Sequence, residues 1–172
     1  MLSLDARIRK QQSILICSGL GVILFGVWSA IRFALMVYLK DSLLWDAIES
    51  ASGEGLVSDD ALLLIIIISA AVVFSFDLLI RLYIGRAAIR EGRGNSSESV
   101  KYIVMAMLYA ALVFSSDTYA VIGYITKGGM VREYLDILID FTVNIATVEI
   151  AVSAIRVRML CRQKLKVKKE VY

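Results

Sequence analysis

The sequence predicts an all-α integral membrane protein, an antiparallel bundle of four transmembrane helices with both termini in the cytoplasm. Three observations carry this expectation. Of 172 residues, 59% are hydrophobic and 20% are charged, against about 45–50% and about 25% in soluble domains. The apolar residues gather in four stretches, each long enough for a hydrocarbon core about 30 Å thick, which takes roughly 20 residues of helix. Basic and acidic residues alternate between the connections, the asymmetry of the positive-inside rule. Proline is absent, which suits unbroken helices and argues against the interrupted helices of many transporters.

The first expected span is Ile14–Leu39. It follows Arg7, Arg9 and Lys10, but its apolar part is too long for a signal peptide and has no small-residue cleavage site, so it reads as a retained helix. In the connection Asp41–Asp60, residues Leu43, Leu44, Trp45 and Ile48 fit either a short helix on the outer surface or an irregular loop. The second span, Ala61–Ile84, should run on as helix through Arg86–Arg90 and stop at the Gly92–Gly94 pair. Asn95 and Glu98 then have the spacing of a capping box that starts the next helix. The third span is Val100–Ile125. Gly128 and Gly129 make a tight outer turn, so the fourth span, Tyr134–Val157, should be its antiparallel neighbour. Residues 158–172 form a basic tail.

Orientation follows from the charges. The N-terminal flank, the connection holding Arg86, Arg90, Arg93 and Lys101, and the tail are basic, while the other two connections together hold only Lys40, Lys127 and Arg132, beside Asp41, Asp46, Glu49, Glu54, Asp59 and Asp60 in the first of them. Both ends are therefore expected inside, in the plasma membrane. Aromatic residues agree, with Tyr83 and Tyr102 at the inner face and Tyr38, Trp45, Tyr124 and Tyr134 at the outer one.

Helices in lipid associate through close packing and buried polar contacts. Gly26, Ala30 and Ala34 supply a small-residue face on the first span, and Ala106 and Ala110 supply one on the third. Ser69, Ala70 and Ala71 on the second span and Thr147, Ala151 and Ala154 on the fourth extend the set. Tyr102, Tyr109 and Ser116 recur every seven residues, which predicts one inward face. Cys17 reads as a small packing residue, and Cys161 as a free thiol at the inner surface.

Ionisable groups at membrane depth cost at least about 2.5–3.5 kcal/mol each at a helix centre. Two layers of them are expected, each roughly 10 Å inside its boundary at about 1.5 Å of rise per residue. Arg32, Asp117 and Asp140, with Asn144, form the outer layer; Asp77, Arg81 and Glu149 form the inner one. Each layer has one base for two acids. Asp140, Asn144 and Thr147 lie along one side of the fourth span, with Thr142, Glu149 and Ser153 nearly opposite. These groups read either as interhelical glue or as a route for protons, cations or a small solute. Arg156, Arg158, Arg162, Lys164, Lys166, Lys168 and Lys169 in turn read as a topology anchor, or as a contact for anionic lipid headgroups or an acidic partner. Nucleic acid is not an expected partner.

Histidine is absent, which excludes histidine-ligated haem and zinc and a Ser-His-Asp triad. The two cysteines form no CxxC pair. No cofactor, metal or enzymatic activity is expected. Nor does the last span resemble a voltage sensor, because Tyr134–Ile155 holds no basic residue. The leading functional expectation is assembly, through helix packing with copies of itself or with other membrane subunits. The alternative is an oligomeric channel or transporter component that uses the intramembrane carboxylates.

Overall fold

The computed structural model describes residues 4–38, 59–95, 100–127 and 131–170. They form four helices, α1 (Leu4–Tyr38), α2 (Asp59–Gly92), α3 (Lys101–Lys127) and α4 (Val131–Glu170), and no strand. All four are long and apolar enough to cross a membrane. At about 1.5 Å per residue they measure roughly 40 to 60 Å, longer than the hydrocarbon core requires. The excess lies mainly at the start of α1 and the end of α4, where the basic tail continues as helix to Glu170.

α2 ends where its glycines predict. Asn95 N–H donates to Arg90 C=O at 3.2 Å and Gly94 N–H to Glu91 C=O at 3.0 Å, which is the Schellman pattern. That pattern places Gly94 at φ +87°, a left-handed backbone that glycine adopts without strain. Glu98 of the expected capping box, the Gly128–Gly129 turn and residues 41–58 of the first connection lie outside the described residues.

The chain divides into two compact units, Met1–Ile23 with Tyr83–Tyr172, and Leu24–Leu82. In the first unit, α1 and the end of α2 run antiparallel at backbone contact. A Cβ built on Gly85 would stand 2.7 Å from Gly19 O and 2.5 Å from Ile23 Cγ1, and one on Gly92 would stand 2.9 Å from Gln12 O. Leu15, Val22, Ile84, Tyr102, Thr147 and Ile150 are fully buried there. The closest approach therefore involves Gly19, Gly85 and Gly92, outside the small-residue faces read from sequence. Ala106, Ala110, Thr147, Ala151 and Ala154 are buried as that reading anticipated.

In the second unit, α1 and α2 again meet through a glycine. A Cβ on Gly26 would touch Leu78 Cδ1 and Arg81 Cδ, both at 3.2 Å. Phe33 and Phe74 stack at 4.4 Å between ring centroids.

Large apolar side chains cover the outer surfaces, among them Leu24, Trp28, Val72, Val73, Phe76 and Leu112. Such a surface suits lipid. Polar residues among them close hydrogen bonds on their own helix: Ser69 donates to Ile65 C=O, Thr118 to Phe114 C=O and Thr142 to Leu138 C=O, at 2.7 to 2.8 Å. A hydroxyl bonded back to the preceding turn needs no water, so these positions can face hydrocarbon.

Two expectations are corrected. Ser116 is exposed while Tyr102 and Tyr109 are buried, so the inward face of α3 follows Tyr102, Ala106, Ala110 and Asp117 rather than a strict seven-residue repeat. Cys17 is exposed and packs no core.

Candidate functional site

The most completely satisfied polar cluster centres on a residue that the sequence did not single out. Glu91, in the last turn of α2, is 3% exposed. Arg158 holds it in a fork, with Nε donating to Oε1 and Nη2 to Oε2, each at 2.7 Å. The Tyr102 hydroxyl donates to Oε2, and the guanidinium lies 5.9 Å from the Tyr102 ring centroid. Three donors, two of them from a guanidinium, offset the cost of burying this carboxylate. The cluster ties α2, α3 and α4 together. Glu91 was hard to find because it sits among arginines beyond the apolar stretch, where an acid looks like ordinary surface.

The basic tail has no single role. Arg158 is committed to Glu91. Lys164 pairs with Asp5 at 2.7 Å, both side chains well exposed, and so joins the start of α1 to the end of α4. Asp5 precedes the expected first span. The Lys164 ammonium donates to its carboxyl and holds its pKa below the ordinary 3.8. Arg156, Arg162 and Lys166 are exposed. The side chains of Lys168 and Lys169 lie outside the described set.

Within the apolar spans, Asp77 and Arg81 form the same-helix pair that their four-residue spacing predicts, at 2.8 Å with Arg81 nearly buried. Ser18 donates to Glu149 at 2.8 Å, linking α1 to α4. Asp117 is 8% exposed, Asp140 and Arg32 are half-buried, and each of the three has an interaction partner. The side of α4 that carries Thr142, Glu149 and Ser153 now has an explanation. Thr142 is satisfied by its own helix, Glu149 by Ser18, and Ser153 is buried.

Asn144 differs. It is 5% exposed, and its Oδ1 is buried with no hydrogen-bond partner among the described residues. It lines a half-open groove of about 450 Å³ between α3 and α4, whose other walls include Met107, Ala111, Phe114, Phe141 and Val148. Phe114 and Phe141 meet edge to face at 5.6 Å. The groove is apolar except for one amide, so an apolar body carrying a hydrogen-bond donor would complete it. Among the described residues no cluster of metal-ligating side chains occurs. Compared with known proteins, the chain matches no family model, no curated protein and no solved structure.

Proposed function

We propose that this chain is a small multi-pass protein of the plasma membrane, both ends cytoplasmic, that works by self-assembly through its lipid-facing surfaces. The groove between α3 and α4 receives a transmembrane helix of a second copy. The observation that carries this reading is Asn144: a buried amide oxygen without a donor costs about 1–3 kcal/mol by protein measurements, and lipid tails offer no donor. A helix entering the groove with a hydroxyl satisfies it.

The exposed face of α2 along Ala71, Ser75 and Leu79 offers such a hydroxyl on a small-residue ridge. Ser75 and Asn144 both fall near the middle of their expected spans. Packing of α2 from one copy onto α3 and α4 of the next uses two different surfaces, and such head-to-tail contacts generate rings when the rotation closes.

The test is mass measurement of the full chain in lipid nanodiscs. The wild type should form a closed oligomer. Asn144→Leu, Ala111→Phe and Ala71→Phe should each shift it towards monomer while far-UV circular dichroism stays unchanged. A wild-type monomer at all accessible protein-to-lipid ratios overturns the reading, as does an oligomer indifferent to all three substitutions.

A further inference from the structure

A second cavity lies at the opposite kind of place, beside the charged ends rather than among the apolar walls. It is a cleft of about 490 Å³ between the start of α1 and the extension of α4. Arg7, Lys10 and Gln11 share one face of α1, and Arg156, Leu160 and Gln163 share one face of α4, by their three- and four-residue spacings. Three cations thus border one cleft, and no carboxylate is among the described residues of its wall. Two acids of the same unit are engaged elsewhere, Asp5 by Lys164 and Glu91 by Arg158. The cations repel one another until an anion enters.

Two further features narrow that anion. Gln11 Oε1 is buried with no hydrogen-bond partner among the described residues, and it can only accept. Met159 and Leu160 supply an apolar part of the wall. The cleft also stands at the edge of the apolar spans, since Arg7, Lys10 and Gln11 precede the expected start at Ile14 and Arg156 stands at the expected end. Arginine suits a phosphate because its guanidinium presents a planar fork of donors. We propose that this cleft binds a phosphodiester with a hydroxylated polar group, the chemistry of a phosphatidylglycerol headgroup. Arg7, Lys10 and Arg156 surround the phosphate, a headgroup hydroxyl donates to Gln11 Oε1, and the glycerol backbone rests on Met159 and Leu160. This site does not depend on self-assembly.

The experiment uses the full chain in phosphatidylcholine nanodiscs, with bound lipid counted by native mass spectrometry as phosphatidylglycerol is titrated in. Phosphatidylglycerol should be retained in preference to phosphatidylcholine. Arg7→Gln, Lys10→Gln and Arg156→Gln should each weaken it roughly fivefold, and together about 100-fold, from the attraction of a basic residue to anionic lipid. Arg162→Gln with Lys166→Gln removes charge outside the cleft and should leave retention unchanged. Gln11→Leu should erase the preference for phosphatidylglycerol over phosphatidic acid, which lacks the hydroxyls. Glycerophosphoglycerol added to the aqueous phase separates the sources: competition shows that the site takes the free ester, and no competition shows that it takes the lipid. Equal retention of phosphatidylglycerol and phosphatidylcholine overturns the proposal. So does an equal loss from the outlying pair and the cleft variants, or a Gln11→Leu protein with unchanged selectivity.

Discussion

Replacing Arg158 by leucine removes both nitrogens that hold Glu91, and leaves a carboxylate 3% exposed with only Tyr102 as a donor. Breaking a buried pair from one side typically costs about 3–5 kcal/mol, because the remaining charge is stranded. The Arg158 side chain is 26% exposed, so water reaches the site once the arginine is gone, and the expected loss is near the lower end, about 3 kcal/mol. Tyr102→Phe removes one hydrogen bond to a charged acceptor, worth about 1.5–3 kcal/mol. The triple variant Glu91→Leu/Arg158→Leu/Tyr102→Phe removes charge, counter-charge and the third donor together and should come within about 1 kcal/mol of wild type, as apolar replacements of whole buried clusters often do. The double variant Glu91→Leu/Arg158→Leu retains the cost of a stranded Tyr102 hydroxyl. Reversible unfolding in bicelles, followed by circular dichroism, of wild type, Glu91→Leu, Arg158→Leu and the double variant closes a double-mutant cycle. A coupling energy above about 2 kcal/mol is expected for groups in direct contact. An Arg158→Leu protein as stable as wild type, or strict additivity around the cycle, would refute the claim that Glu91 is a buried, charged anchor.

Two further outcomes follow from the geometry. Gly85→Ala places a methyl 2.5 Å from Ile23 Cγ1 and 2.7 Å from a backbone oxygen, so unfolding should show a loss of about 1–3 kcal/mol from overpacking. Gly21→Ala, which meets nothing within 4 Å, should instead hold or gain up to about 1 kcal/mol from helix propensity; the reverse order would mean that α1 and α2 do not touch at Gly85. The lowered pKa of Asp5 gives its ion pair a sign. Its contribution is present above the ordinary value of 3.8 and fades as pH falls through the depressed folded-state value. Thermal midpoints of wild type and Asp5→Asn should therefore converge at acid pH and differ slightly at neutral pH.

The sequence alone determined the four apolar spans, because roughly 20 apolar residues in a row have no other way to satisfy their backbone in lipid than as helix; it did not show that α1 begins at Leu4 or that the basic tail continues α4 to Glu170. It also determined the end of α2, because Gly92 and Gly94 are local signals, and the pairing of Asp77 with Arg81, because four residues make one helical neighbourhood. What it could not assign was the partner of any group across helices. Arg158 and Lys164 look alike as tail bases, yet one is committed to Glu91 and the other to an exposed Asp5. Small-residue spacing marked plausible faces on all four spans, but the closest backbone contact fell at Gly19 and Gly85. Which glycine meets which depends on helix rotation and offset. In an apolar solvent those are set by shape and buried polar pairing between helices, not by a hydrophobic stripe that periodicity can reveal. The same holds for Asn144 and for the cleft beside Gln11: a buried oxygen without a donor exists only once the surrounding helices are in place.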